Sequence, residues 1–378
     1  VLVRPSYVLG GRVMEIVSDA QQLDVYMGKA VDASTVGRDH PILIDKFLAH
    51  ATEVDVDCVA DFGPAPDGSM SANPRAIVCG VMEHIEEAGV HSGDSSCTLP
   101  PHSLPDEVVE EIKRQARMLA ERLNVRGMMN TQFAVKDSEV YIIEVNPRAS
   151  RTVPFVSKAT GVPWAKTAAM VMAGKTLESL GTVELAPPAH TSVKESVFPF
   201  AKFPGVDVIL GPEMRSTGEV MGIDMDFNFA FGKGQMGTGV PLPKTGTVFV
   251  SVCDEDKDEI VDIVAPLAHK GYELVATGGT YRRLIEMDLP ATQVLKLAEG
   301  RPNMKDMITN GEISLIINTP THRGPATDEG KIRAMATLHN IPLITTLTGA
   351  KAAVNAMGQL WNEDQSAAWS VKSLQEYS

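Results

Sequence analysis

The sequence lacks features that mark several protein classes. Its four cysteines include no Cys-x-x-Cys pair, so neither a disulfide framework nor a zinc site is indicated. It has no apolar run near the roughly 18 residues of a membrane span and no recognisable signal peptide. With a formal net charge of −14, it also lacks the basic footprint that a nucleic-acid partner requires. We therefore expect a cytoplasmic protein without a membrane or nucleic-acid partner. Nucleotides need only local cations and are compatible with this charge.

The remaining composition is that of an ordinary globular protein. The 378 residues are 44% hydrophobic and 22% charged, which predicts two or three domains with ample core. Val1 lies within a strand-like segment that no initiator Met precedes, so we expect the chain to begin inside a larger protein.

A predicted hairpin around Gln132 and Glu144 is the most informative stretch. Alternation in its second strand places Glu144 and Asn146 on one face, and we expect Ile143 to face apolar packing. Gln132 lies on the first strand. A three-residue loop, 137–139, would place Gln132 opposite Glu144, whereas a two-residue loop would place it on the other face. We predict the three-residue loop and a single polar cluster.

The predicted cluster favours a site for a metal and phosphate. Oxygen ligands from Gln132, Glu144 and Asn146 suit Mg²⁺, and the guanidinium groups of Arg148 and Arg151, which follow closely, suit phosphate. The alternative is the solvated polar face of an ordinary hairpin, and the pattern alone does not decide between the two.

An earlier strand, predicted at 52–59, carries three acidic residues on one face. We predict that Asp57 is solvated, and we keep Glu53 as a candidate ligand. A polar, glycine-rich run around His91 follows the next strand and is a second candidate site. The alternative for His91 is a hydrogen-bonded loop residue.

Two further segments have local signals. Gly10-Gly11 predicts a hairpin turn, and the same glycines suit a lid over phosphates. The helix predicted from Ser103 to Leu123 has Ser103 as its cap and a single apolar face.

Strands and helices alternate beyond a boundary near 241–246. This pattern predicts a parallel sheet with helices on both faces, and ligands bind at the carboxyl ends of such strands. The segment 277–280 (TGGT) leads directly into a helix, whose free N–H groups suit an anion; a tight turn is the alternative. The anion site predicted at this edge comprises Lys257, Thr277, Thr280, Lys296, Asn318 and Thr319.

Several long motifs together resemble a known family. The segments are RPSYVLGG at 4–11, EHIE at 83–86, AGVHSGDS at 88–95, IEVNPRA at 143–149 and LGPEMRSTG at 210–218. They are similar to the ATP-grasp region of the carbamoyl-phosphate synthase large-chain family. The last part of the chain resembles the methylglyoxal-synthase-like regulatory domain of that family.

The resemblance implies an α/β protein. An N-terminally incomplete ATP-grasp fold (α+β) would be followed by a Rossmann-like, doubly wound parallel-sheet regulatory domain. Residues 1–173 would form the ATP-grasp domain without its preceding domain. Residues 174–240 would form the C-terminal segment of the carbamoyl-phosphate synthetic unit, and residues 241–378 the allosteric domain.

The resemblance also implies an activity. As the second synthetase half, the chain would phosphorylate carbamate with MgATP, for pyrimidine and arginine biosynthesis. Its partners would be the N-terminal half of the large chain and a glutaminase small chain that supplies ammonia. Without the upstream half, we expect the chain alone to be inactive.

Site residues are carried over where the motifs match. The ATP-binding residues would be Arg4, Lys46, Leu48, Glu53, Gly89, Val90, His91, Ser92, Gln132 and Glu144. The ligands of Mg²⁺ or Mn²⁺ would be Gln132, Glu144 and Asn146, and the catalytic residues Asn146, Arg148 and Arg151. The predicted anion site of the last domain would bind a nucleotide monophosphate effector, UMP or IMP.

The sequence departs from the family pattern at three positions. Lys46 replaces a common His of the nucleotide site, and Pro320 replaces a hydroxyl residue beside the effector site. Leu343 replaces an aromatic residue of the ornithine site in enterobacterial relatives, so we do not expect ornithine activation.

Three other functions are alternatives to this one. Another ATP-grasp ligase would share the Glu–Asn strand but is not expected to carry this regulatory domain. A non-catalytic nucleotide-binding regulatory fragment is the second alternative. Methylglyoxal synthase activity is disfavoured, because the aspartates of that enzyme are missing around 301–303 and 327–329.

Overall fold

The computed structural model describes residues 1–5, 14–17, 19–33, 42–203, 208–320, 327–361 and 371–377. Among them are three β-sheets with three, seven and five strands. None of the described helices is long and apolar enough to span a bilayer.

The three-stranded sheet lies at the start of the chain. Its elements are β1 (Leu2–Pro5), β2 (Glu15–Ile16), α1 (Ala20–Ala33) and β3 (Ile42–Asp45). The central strand β1 pairs antiparallel with both neighbours, as the predicted hairpin requires for β2. Val3 and Tyr26 are buried between the sheet and α1. Gly10-Gly11 lies outside the described residues.

The seven-stranded sheet is antiparallel throughout and has the order β10-β9-β6-β5-β4-β7-β8. Its strands are β4 (Thr52–Asp61), β5 (Ala76–Glu87), β6 (Cys97–Leu99), β7 (Arg126–Lys136), β8 (Glu139–Asn146), β9 (Thr191–Val197) and β10 (Gly218–Asp224). The helices beside it are α2 (Asp106–Arg122), α3 (Val153–Thr160), α4 (Trp164–Met172) and α5 (Phe227–Gly237).

The two faces of this sheet differ. One face is apolar and packs against α2, where Val54, Phe133 and Ile112 are fully buried. The other face is apolar only beneath α3 and α4, around Val59 and Trp164. The rest of that second face carries polar and charged side chains, and it holds the candidate site described below.

The helix α2 corrects one prediction. Its N-cap residue is Pro105, and no side chain caps it. Ser103 instead donates its hydroxyl proton to Glu83, whose carboxylate also accepts from the N–H groups of His102 and Leu104. The predicted cap was therefore wrong, because a buried acid on β5 binds this turn.

The five-stranded sheet is parallel, as predicted, and has the order β13-β12-β11-β14-β15. Its strands are β11 (Thr247–Ser251), β12 (Glu273–Thr277), β13 (Thr292–Val294), β14 (Ile313–Asn318) and β15 (Leu343–Ile344). Its helices are α6 (Lys257–His269), α7 (Gly278–Glu286), α8 (Met304–Thr309), α9 (Asp328–Leu338) and α10 (Leu347–Leu360). The helices α6, α7 and α10 share one core with the sheet, and α8 and α9 share the core on its other face.

The parallel sheet and the seven-stranded sheet share buried contacts. Phe229 and Phe231 of α5 and Val193 of β9 belong to the same hydrophobic core as α10. Gly232 lies so close to Leu360 that a Cβ atom at position 232 would collide with its side chain. The boundaries proposed at 173 and 240 stay predictions.

Candidate functional site

The β7–β8 hairpin pairs Gln132 with Glu144, but by a different route from the predicted one. The loop has two residues, Asp137 and Ser138, with φ angles of 51° and 64° that fit a type I′ turn. A β-bulge between Gln132 and Phe133 then inserts one extra residue on β8. The predicted loop length was wrong and the predicted pairing is confirmed.

The bulge also changes where the apolar side chains of β8 lie. Ile143, predicted to face apolar packing, is 41% exposed, and Tyr141 and Ile142 beside it are also exposed. The strand β8 is at the edge of the sheet, and none of the described strands pairs with its outer side.

The predicted polar cluster is brought together around Glu144. The amide of Asn146 donates to Glu144 Oε1 over 2.7 Å, and the amide of Gln132 donates to Ser92 Oγ over 2.5 Å. Glu144 is exposed, while Gln132 and Asn146 are half-buried. Because both amides donate through nitrogen, these two bonds do not use their carbonyl oxygens.

These residues fit a hard divalent cation that is shared with phosphate. No three His, Cys, Asp or Glu side chains of the described residues converge to hold a metal on their own. Mg²⁺ usually takes one or two carboxylates and completes its octahedron with waters and phosphate oxygens. Glu144, Asn146 and Gln132 match that incomplete protein shell.

The loop around His91 closes one side of the cluster. Gly93 N donates to His91 Nδ1 over 3.0 Å, and His91 N donates to Gly211 O over 2.7 Å, as expected for a hydrogen-bonded loop residue. Burial lowers the pKa of His91, and the nearby charges of Asp94 and Glu144 oppose this decrease. A neutral ring suits the acceptor role of Nδ1.

Glu53, predicted as a candidate ligand, lies near Gly89 and Glu144. Burial raises its pKa to about 7; the charge of His84 and a hydrogen bond from Gly89 N lower it, and the charge of Glu144 adds to the increase. Gly89 has a φ of 114°, and a side chain there would press against Phe47, so this position requires glycine. The contact brings the segment after β3, which holds Lys46 and Leu48, against the loop of His91.

The predicted arginines lie in two parts of the structure. Arg4 of β1 forms an ion pair with Asp45 of β3 over 3.0 Å, within the small sheet. Arg148 and Arg151 are exposed in the loop between β8 and α3, and the charge of Arg151 acts on both His91 and Glu219. The structure therefore places Arg151 beside the cluster.

Sequence reasoning missed a buried ionic network behind Gln132. His84 Nε2 lies 3.1 Å from Asp55 Oδ2, and their side chains are 0% and 2% exposed. Burial opposes both charges, but their hydrogen bond raises the pKa of His84 and lowers that of Asp55. Lys194, also buried, donates to Ser92 O over 3.0 Å. Alternation along β5 places His84 on the same face as Asp55, so this pattern could have predicted their pairing.

Asp57 is the clearest correction among the acids of β4. Predicted to be solvated, it is 0% exposed and accepts hydrogen bonds from Asn130, Ser150 and Thr152. Alternation identified its face correctly, but it could not show that the loop after β8 covers that face.

The second candidate site lies at the carboxyl ends of β11, β12 and β14. Thr277 Oγ1 lies 3.0 Å from Ser251 Oγ, and Asn318 Nδ2 donates to Ser251 O over 2.8 Å. The hydroxyls of Thr280 and Thr319 accept from the N–H groups that follow Ser251, over 3.2 and 3.1 Å. Four of the six predicted residues thus converge on the end of the central strand.

The two lysines of the predicted anion site differ. The ammonium of Lys257 lies over the first turn of α7, 2.6 Å from where a Cβ of Gly279 would be. Lys296 is exposed beyond β13, at the edge of the sheet. Sequence reasoning missed Arg333, a fully buried residue whose guanidinium donates to Asn318 Oδ1 over 2.8 Å.

Comparison with known proteins decides the family. A family model described as Carbamoyl-phosphate synthase L chain, ATP binding domain, matches residues 1–180, and one described as MGS-like domain matches residues 259–345. The carbamoyl phosphate synthase large chain of Nostoc sp. is 53% identical over 382 residues, covering 100% of this chain and 33% of the relative. That of Myxococcus xanthus is 52% identical over 377 residues, with coverages of 100% and 33%.

The chain belongs to the carbamoyl phosphate synthase large-chain family. An archaeal member from Methanothermobacter thermautotrophicus is 51% identical over 386 residues, covering 100% of this chain and 34% of the relative. The chain spans about a third of the length of the curated relatives it matches. Its ATP-binding domain contains the Glu144 cluster, and its MGS-like domain contains Thr277, Thr280, Asn318 and Thr319.

A solved structure of a biotin carboxylase–beta-gamma-ATP complex from Campylobacter jejuni is a distant likeness. It has a TM-score of 0.47 and 16% identity, and the match covers 61% of this chain and 55% of that one.

Proposed function

We propose that this chain forms the carbamate-phosphorylating site of a carbamoyl phosphate synthase, using MgATP to produce carbamoyl phosphate and ADP. The observation that carries the proposal is the joining of Ser92, Gln132, Glu144 and Asn146 at one edge of the sheet. Phosphoryl transfer depends on positioning and charge neutralisation more than on covalent help. A cluster of oxygen ligands beside Arg151 would supply both the positioning and the charge neutralisation.

Each group has a distinct role in this proposal. Glu144, Asn146 and Gln132 would hold Mg²⁺ or Mn²⁺, which when bound neutralises charge on the ATP phosphates. Arg148 and Arg151 would orient the carbamate and the transferring phosphoryl group. Glu53, with Gly89 to Ser92 and the segment 46–48, would line the nucleotide site, and Arg4 would approach from the small sheet.

The setting of the reaction is also proposed. The partners would be the N-terminal half of the large chain and a glutaminase small chain, and the product would serve pyrimidine and arginine biosynthesis. A cytoplasmic location is supported by the four cysteines, all of which are free thiols.

The test is ATP formation from carbamoyl phosphate and MgADP by the complete large chain. Glu144→Gln should lower the rate by about 10²-fold or more, because it removes the only carboxylate of the metal cluster. Glu139→Gln, at the other end of the same strand, is the matched control and should keep the activity. If Glu144→Gln leaves the rate unchanged, the assignment of the metal ligands on β8 is wrong.

We propose further that the site at the end of β11 binds a nucleotide monophosphate effector, UMP or IMP. The N-terminus of α7, the hydroxyls of Thr277 and Thr280, and the ammonium of Lys257 over Gly279 support a phosphate there. Calorimetric titration of the 378-residue chain with UMP and with IMP tests this. Lys257→Gln should weaken binding, whereas Lys331→Gln, on the exposed side of α9, should not. An absence of binding at millimolar concentrations of both nucleotides would reject the effector site.

A further inference from the structure

The buried carboxylate of Asp57 is the centre of a hydrogen-bond hub. Its Oδ1 accepts from Asn130 Nδ2 over 3.0 Å and from Ser150 Oγ over 2.8 Å, and its Oδ2 accepts from Thr152 Oγ1 over 2.6 Å. Burial raises the pKa of Asp57 to about 6, and the donors, Thr152 first, oppose this increase. Burying a carboxylate costs free energy unless hydrogen-bond donors surround it, as they do here.

Two of the three donors flank Arg151 in the sequence. Ser150 and Thr152 are its immediate neighbours, and their hydroxyl oxygens also lie 2.6 Å apart. Thr152 occupies the N-cap position of α3, yet its side chain makes no capping bond. Its hydroxyl donates to Asp57 instead, so the chain on both sides of Arg151 is tied to one carboxylate of β4.

The third donor, Asn130, connects Asp57 to β8, the strand that carries Glu144 and Asn146 of the proposed metal site. Asn130 of β7 pairs with Asn146 of β8, and its amide donates to Asp57. Arg151 itself is exposed, and its charge is felt by His91 and by Glu219 of β10. Asp57 of β4 therefore links the loop of Arg151 to β7, the neighbour of the strand β8 that carries Glu144 and Asn146.

We propose that Asp57 is a positioning residue for Arg151, acting through Ser150 and Thr152, a role that rests on the proposed phosphoryl transfer. A long cationic side chain that starts from a fixed backbone loses less freedom when it binds the transferring phosphoryl group. The hub supplies that fixed backbone from the face of the sheet that the loop covers, where Asp57 is fully buried.

The kinetic test changes the donors and leaves Asp57 in place. In the complete large chain, Thr152→Val should lower kcat for ATP formation from carbamoyl phosphate and MgADP about tenfold, with KM for MgADP changed less than about twofold. Thr152→Ser restores the hydroxyl and should recover most of the rate. Ser157→Ala is the matched control, because it removes a hydroxyl of α3 that has no hydrogen-bond partner among the residues that the structure describes.

A double-mutant cycle separates positioning from general destabilisation. If Thr152 acts through Arg151, Thr152→Val should change kcat about tenfold with Arg151 present and hardly at all in an Arg151→Ala background. Equal factors in both backgrounds would overturn the proposal.

A readout that needs no activity distinguishes this proposal from the proposed function. The NMR order parameter of the Arg151 Nε–H bond, measured in the 378-residue chain, should fall in Thr152→Val and stay unchanged in Ser157→Ala. Unchanged order in Thr152→Val would overturn the positioning role even in an active enzyme. A fall in order combined with an inactive wild-type large chain would support the hub and reject the proposed reaction.

Discussion

Gln132 lies directly opposite Glu144 because a β-bulge on β8 offsets the short loop of the hairpin. The two-residue turn alone would have paired Gln132 with Ile143, and Glu144 would then have lain on the other face. A proposed metal site thus depends on one extra residue in an edge strand.

The turn itself gives the first prediction. Ser138 has a φ of 64°, where glycine is favoured and β-branched residues are strained. Ser138→Gly should raise the free energy of unfolding by about 0.5–1 kcal/mol, and Ser138→Val should lower it by a similar or larger amount. Urea denaturation measures both. Two variants that shift stability in the same direction would contradict a type I′ turn.

Sequence patterns predicted the regular parts of the fold. The alternation of strands and helices in the parallel sheet, and of polar and apolar residues in β4 and β8, involves neighbours along the chain. The sequence could therefore predict both patterns. The cover over Asp57 depends on Ser150 and Thr152, which are 93 and 95 residues away in sequence, and alternation does not show where a bulge inserts an extra residue. The helix α5 was missed because its glycines, Gly232, Gly234 and Gly237, disfavour a helix. Packing between β9, β10 and α10 overrides that propensity.

The His84–Asp55 pair gives the second prediction. The folded state raises the pKa of His84, so the pair contributes stability below a pH of about 6.5 that is lost as pH rises through the folded value. The lowered pKa of Asp55 contributes stability above about pH 4 that is lost on acidification through the folded value. Asp55→Asn should therefore cost most between these limits, about 3 kcal/mol, because it leaves a buried cation without its partner.

Denaturation at pH 5.5 measures this cost, and an NMR titration should show a lower pKa for His84 in the variant. Glu121→Gln, an exposed carboxylate of α2, is the control and should change stability by less than about 0.5 kcal/mol. An unchanged His84 titration in Asp55→Asn would contradict the ion pair.

Glu195 gives the third prediction, and its pH dependence is opposite to that of Asp55. Burial, and then the charge of Glu86, raises its pKa to about 8, and Ser96 Oγ donates to its Oε2 over 2.6 Å. The folded protein therefore retains a proton that the unfolded chain releases near pH 4.5, and stability falls as pH rises towards 8. Glu195→Gln cannot release that proton. Its stability relative to wild type should rise across this range by up to about 1.4 kcal/mol per pH unit. A relative stability that does not vary with pH would contradict a protonated Glu195.

The contact between Gly232 and Leu360 gives the last prediction, which concerns how α5 packs against α10. A methyl group at position 232 would meet the side chain of Leu360, so Gly232→Ala should lower the free energy of unfolding by about 1–3 kcal/mol. Leu360→Ala alone should also destabilise the protein, because Leu360 is buried in the core shared by α5 and α10.

In the double variant the added methyl group occupies space that Leu360 has left, so the combined loss should be smaller than the sum of the single losses. Thermal unfolding of the four proteins measures the coupling, and strictly additive losses would mean that the two helices do not pack at this point. Gly358→Ala, on α10 with open space at its Cβ position, is the control and should not destabilise.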